Sequence, residues 1–162
     1  MIASTVENEF TCVQPAYDHT QYAPMYWLIL VPAFAMAGAA YFSLRDAEFV
    51  YLQVMSGFLF AVGFSFRWLR VVDEGAHLAL RYGPLPIFRR RIAFADIADA
   101  RRSTSSFIDG WGIHWVPGRG WTFNLWGFDC VLVTLQDGRT MRIGTDDADG
   151  LSHFLQQRQS ES

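Results

Sequence analysis

Apolar residues are arranged in two different ways along this chain, and the switch falls near residue 66. Ahead of it lie two unbroken apolar runs, residues 23–44 and 49–66, 22 and 18 long, neither holding a charged side chain. As helices they would extend about 33 and about 27 Å, against a bilayer hydrocarbon thickness of about 30 Å. Neither run shows the polar stripe that a surface helix of a water-soluble protein presents. A cleaved signal peptide would need a positive leading segment and a shorter run, whereas residues 1–44 contain no Lys or Arg. Aromatic residues sit where interface anchors belong: Tyr22, Tyr26 and Trp27, then Tyr41 and Phe42, then Tyr51 and Trp68. The pattern predicts a transmembrane hairpin whose helices, joined only by Arg45-Asp46-Ala47-Glu48, must be antiparallel neighbours.

Arginine bias orients such a hairpin. The turn offers Arg45, whereas the flank after the second run offers Arg67, Arg70, Arg81, Arg89, Arg90 and Arg91. Both termini are therefore expected on the cytoplasmic side of a bacterial inner membrane. Small residues in the first run (Ala33/Ala37, Ala35/Ala39, with Gly38) and Gly57 and Gly63 in the second suit close helix packing. The packing lies within the hairpin or against helices of another membrane protein. Pro32 is expected to kink the first helix. Neither run holds an ionisable residue, so the hairpin reads as an anchor rather than an ion path.

After residue 66 the apolar residues come in short alternating segments. Strands are predicted at 68–72, 78–82, 90–94, 97–101, 113–116, 121–125, 131–135 and 140–143, separated by turn signals such as Asp73-Glu74-Gly75, Pro117-Gly118 and Asp137-Gly138. Residues 146–157 form an amphipathic helix with Leu151, Phe154 and Leu155 on one face, capped by Thr145 or Asp146. The domain organisation is a tail (1–22), a helical hairpin (23–66), a β domain (67–158) and a short C-terminal tail (159–162). The first tail is polar, carries three acids and is too short to fold alone; it is expected to be disordered or laid along a partner.

This order of elements resembles that of the bacterial pleckstrin-homology-like (bacterial PH) domains of small membrane proteins. The residues carrying the likeness are Leu80-Arg81-Tyr82-Gly83, Arg91-Ile92 with Ile97, Gly110-Trp111-Gly112-Ile113 and the run 138–146. The resemblance implies a bent seven-stranded, mostly antiparallel sheet closed into a barrel or sandwich by a C-terminal helix, hence a membrane-anchored α+β protein. It also implies a non-enzymatic module, found in some proteins that assemble or accompany membrane complexes, photosynthetic or respiratory ones among them.

Composition sharpens this picture in three places. Apolar residues are 51% and charged residues 18%, mean hydropathy is +0.12, and disorder is excluded. A net charge of −3 disfavours a nucleic-acid partner. The two cysteines, Cys12 and Cys130, make neither a disulfide framework nor a zinc site. His19, His77, His114 and His153 are dispersed without metal-ligand spacing, and a Ser105–Asp109–His114 trio is what any chain of this length offers by chance. No catalytic residue, metal or cofactor is therefore expected, and Asp146, Asp147 and Asp149 are read as helix-terminal acids rather than cation ligands.

Two clusters carry the candidate chemistry. Arg89-Arg90-Arg91, with Arg67 and Arg70, is a solvated flank, a contact for an anionic lipid surface, or a grip on one headgroup or partner protein. On a strand, Arg89 and Arg91 share a face and Arg90 points oppositely. Trp111, Trp115, Trp121 and Trp126 either fill the core or form an aromatic interface. The leading expectation is a non-catalytic accessory or assembly subunit of a larger membrane complex. The alternative is a membrane-surface module that binds anionic lipid through the arginine edge.

Overall fold

The structure, a computed structural model, describes residues 16–43, 46–106 and 112–160. Residues 23–25 do not begin the first helix. Ala23 and Met25 are buried in the core of the β domain, and a turn at Pro24 accepts the Trp27 N–H at 3.0 Å. Helix α1 then runs Tyr26–Ser43 and α2 runs Asp46–Ser65. They pack antiparallel: Phe34 meets Phe60 edge-on at 4.5 Å, Ser56 Oγ donates to the Ala33 carbonyl at 2.9 Å, and Gly63 lies against Ile29 and Leu30. Pro32 sits inside α1 without ending it.

The expectation of two spanning helices is met in part. Among the described residues one stretch, Glu48–Ser65 of α2, is long and apolar enough to cross a bilayer, and α1 offers the shorter apolar stretch Tyr26–Phe42. The use of 23–25 as a connection into the β domain shortens the first apolar run to an 18-residue helix, about 27 Å long.

Eight strands follow the alternation read from the sequence, and a ninth comes from the tail. The first sheet has the order β1-β2-β3-β4, with β1 Asp18–Tyr22, β2 Trp68–Asp73, β3 His77–Gly83 and β4 Arg89–Ala93. A single 3-10 turn, Phe94–Asp96, leads into the second sheet. Its order is β5-β8-β9-β7-β6, with β5 Ile97–Thr104, β6 Gly112–Val116, β7 Gly120–Asn124, β8 Asp129–Leu135 and β9 Thr140–Gly144. All pairings are antiparallel except β7 with β9. Eight strands lie between residues 68 and 144, one more than the seven the resemblance implies. Part of the first tail is thus a sheet edge rather than a loose segment: β1 pairs with β2 from Asp18↔Val72 to Tyr22↔Trp68.

Helix α3, Ala148–Ser160, packs on β5 and β8 and closes the core with Leu151 and Leu155. It starts later than expected because Asp147, rather than Thr145 or Asp146, caps it, its carboxylate accepting the Gly150 N–H at 3.1 Å. One apolar core joins both sheets: Leu69 and Val71 of β2, Leu78, Leu80 and Tyr82 of β3, then Val131, Val133 and Ile143. Phe66, just beyond α2, belongs to this core through ring contacts at 5.1 Å with both Tyr82 and Phe88. The hairpin is therefore seated directly on the β domain.

Candidate functional site

Alternation places Leu69, Val71, Leu78, Leu80, Tyr82 and Ile92 inward, so the alternate side chains of β2, β3 and β4 form the outward face of the first sheet. The register puts three arginines side by side on it: Arg70 opposite Arg81, and Arg81 opposite Arg89. Arg91, two residues along β4, shares the face with Arg89, and Arg90 opposes the inward Leu80. That division of Arg89 and Arg91 from Arg90 is the one strand geometry predicts.

Two carboxylates enter this face. Asp18 of β1 takes a forked contact from Arg70, with Nε donating at 2.7 Å, and Glu74 in the β2–β3 turn pairs with both Arg81 and Arg91. The Arg70 hydrogen bond holds the Asp18 carboxyl below its usual range. Burial alone would raise Glu74, but the hydrogen bond from Arg81 and the charges of Arg81 and Arg91 outweigh it and hold the carboxyl low. Among the described residues no carboxylate lies within ion-pairing distance of Arg89. Four guanidinium groups thus face two carboxylates.

Beside this row lies a cavity of about 650 Å³ whose lining includes Trp68, Arg81, Pro86, Arg89 and Arg91. The Trp68 ring lies over Gly83, where a Cβ would overlap the indole. Glycine at 83 is what allows the ring to come this close. Arg89 and Arg90 also border a second cavity of about 410 Å³, with Ile87, Trp121, Arg139 and Met141. Arg67 stands apart from both, in a shallow recess with Tyr22, Tyr26 and Trp27 at the foot of α1. The five arginines expected to act together are therefore divided among three surroundings, and Arg70 is already engaged by Asp18.

The aromatic cluster is decided for three of its members. Trp115 and Trp121 are directly opposed on β6 and β7 and are 58% and 49% exposed, and Trp126 is exposed too. They form a surface rather than filling the core; Phe123, stacked on Trp121, is the ring that turns inward. Trp111 lies outside the described residues. In the hairpin, Ala33 is fully buried and Gly63 is at the contact, Ala37 is half-buried, while Gly38 and Gly57 have open space where a side chain would project.

Arg81, Trp68 and the two carboxylates were not among the expected site residues. The Asp73-Glu74-Gly75 turn was the available signal, because a tight turn there sets the register that brings Arg81 beside Arg70. No protein-family model and no curated protein sequence matches the chain.

Proposed function

We propose that this chain is a non-catalytic, membrane-anchored binding protein of the bacterial inner membrane: an accessory or assembly subunit whose hairpin packs beside a larger integral membrane complex. In this reading both termini are cytoplasmic and the β domain, PH-like in its two sheets and C-terminal helix, covers the complex's cytoplasmic face. One observation carries the reading. The outward residues of α1 and α2 are large, apolar and exposed: Leu28, Val31 and Phe34 on one helix, Val50, Val54 and Phe58 on the other. A patch of this size on a water-soluble monomer would be unusual, and only lipid or another protein accounts for it. Only 17% of the residues in the α2 stretch Glu48–Ser65 are buried, unlike a core helix of a soluble protein. Helix α1, slightly short for the hydrocarbon layer, is accommodated by local thinning or by neighbouring helices. The exposed Trp115–Trp121 pair supplies the side-chain types that dominate protein contacts.

Two measurements test this. Alkaline-carbonate washing of membranes should leave the protein in the pellet; release into the wash would end the membrane reading. Purification of the tagged protein in a gentle detergent should then recover one membrane complex at fixed stoichiometry. Recovery of the protein alone would end the subunit reading and leave the second one, contact with anionic lipid through the arginine face, which the excess of guanidinium over carboxylate on the first sheet favours.

A further inference from the structure

We infer that the outward face of the first sheet holds a binding site for a phosphate group between Arg81 and Arg89, with Trp68 as one wall. Two guanidinium groups on directly opposed residues repel one another, and like charges in that position destabilise a sheet. Glu74 relieves Arg81 from one side, leaving Arg89 facing the cavity without a carboxylate partner among the described residues. A dianionic or monoanionic phosphate placed between them would satisfy both. Arginine suits this ligand because its planar fork presents parallel N–H donors to two oxygens at once, which a lysine cannot do. The cavity, about 650 Å³, falls in the size range of small-ligand sites and exceeds what a lone phosphate needs. The indole of Trp68, close against Gly83, gives the remainder of the ligand an apolar surface.

The position of the site bears on its ligand. Trp68 lies three residues after the last residue of α2, and Arg81 and Arg89 are in the next cross-strand row, about two residues farther along β2. With the apolar helices in a bilayer, this row stands at headgroup height, where each basic residue gains about 1 kcal/mol against an anionic leaflet. The phosphate is then that of a phospholipid headgroup; without that placement the same chemistry takes a soluble phosphate compound. The lipid source rests on the membrane-anchored reading, and the phosphate site itself does not.

The test uses the full chain in a zwitterionic detergent, titrated calorimetrically with dioctanoyl phosphatidylglycerol and, separately, with inorganic phosphate. Saturable binding of at least one probe is expected, weakened about tenfold by Arg89→Gln and by less in Arg89→Lys, which keeps the charge but not the fork. Arg102→Gln, an exposed arginine of β5 paired with Asp149, serves as a control and should bind as the wild type does. Binding of the lipid with far weaker binding of phosphate identifies a headgroup site; equal binding identifies a site for a soluble phosphate. Absence of saturation with both probes overturns the proposal, as does wild-type affinity in both Arg89→Gln and Arg81→Gln. Arg89 is exposed, so its loss leaves the core intact, and unchanged thermal unfolding verifies this. Because the proteins are in detergent, a negative result here leaves the complex-recovery experiment unaffected, and the reverse also holds.

Discussion

The helical hairpin and the β domain use the same kinds of apolar side chain in opposite directions. In the β domain Leu80, Val133, Ile143 and Leu151 are wholly buried, and the outward positions carry charges that mostly find partners: Arg102 with Asp149 at 2.7 Å, Arg139 with Asp137 at 2.6 Å. In the hairpin the buried positions are mostly small or polar, Ala33, Ala40 and Ser56 beside Leu30, and most large residues face outward. A chain folding in water alone would have no reason to invert its pattern at residue 66. On the membrane-anchored reading proposed above, the two halves answer to different solvents, with helix contact in the first driven by close packing and an interhelical hydrogen bond rather than by exclusion of water.

The comparison can be broken most directly by truncating matched residues. Leu80→Ala should cost about 2–5 kcal/mol in denaturant unfolding of the full chain in detergent, the usual price of a buried cavity. Val54→Ala, on the outer face of α2, should cost less than about 0.5 kcal/mol. Comparable losses would show that both regions bury their apolar residues alike. A second substitution probes the one parallel pairing. Gly120 has φ of +80°, and a Cβ there would run into the Thr140 carbonyl, so Gly120→Ala should cost about 1–3 kcal/mol, read by thermal unfolding.

Two charged contacts sharpen the contrast on a smaller scale. Asp73 is nearly fully buried, accepts from Arg158 at 2.8 Å and from the Gly75 N–H at 2.8 Å. Asp73→Asn should lower stability by about 1–3 kcal/mol because a charge-assisted bond and a turn contact are lost together. Asp18 and Arg70 form the exposed counterpart. Asp18 titrates in the fold below its ordinary value near 3.9, so its contribution is complete above that value and disappears as pH falls through the lower folded one. Stability of the wild type should therefore fall more than that of Asp18→Asn on acidification from pH 5, by about 0.2–1 kcal/mol, measured as unfolding midpoints across pH. The smallest effect on stability belongs to Trp115→Ser, whose ring is exposed; unchanged unfolding with loss of the co-purified complex would make the aromatic pair a contact surface.

The eight strands after residue 66 were legible because short alternating segments and glycine turns are local signals; Gly118 and Gly138 both take the positive φ such turns require. Strand β1 was not legible. Its sequence, Asp-His-Thr-Gln-Tyr, has no apolar alternation, and it is a strand only because β2 offers an edge to pair with. The helix α3 cap was displaced for a similar reason: Asp146 is drawn off by His19 of that same strand. Of the candidate site, the split between Arg89/Arg91 and Arg90 followed from strand geometry alone. The row Arg70–Arg81–Arg89 needed the register of three strands, and the capture of Arg70 by Asp18 needed a contact 52 residues apart in sequence. The exposure of Trp121 was equally hidden, since it shares its strand face with the buried Phe123 and is uncovered only near the start of the strand, which alternation does not show.

Helices α1 and α2 are inserted between two strands that are themselves neighbours, β1 and β2, joined in register over five residue pairs. The hairpin therefore hangs from two adjacent attachment points rather than one. A single tether lets a rod swivel freely; two tethers about 5 Å apart turn it into a lever. Sliding α1 along α2 would pull β1 against β2 by the same amount, and a slip of one residue would reverse which side chains of β1 face the core. Any load on the helices is thus carried as shear in the Asp18–Arg70 strand pair, at the border of the arginine row.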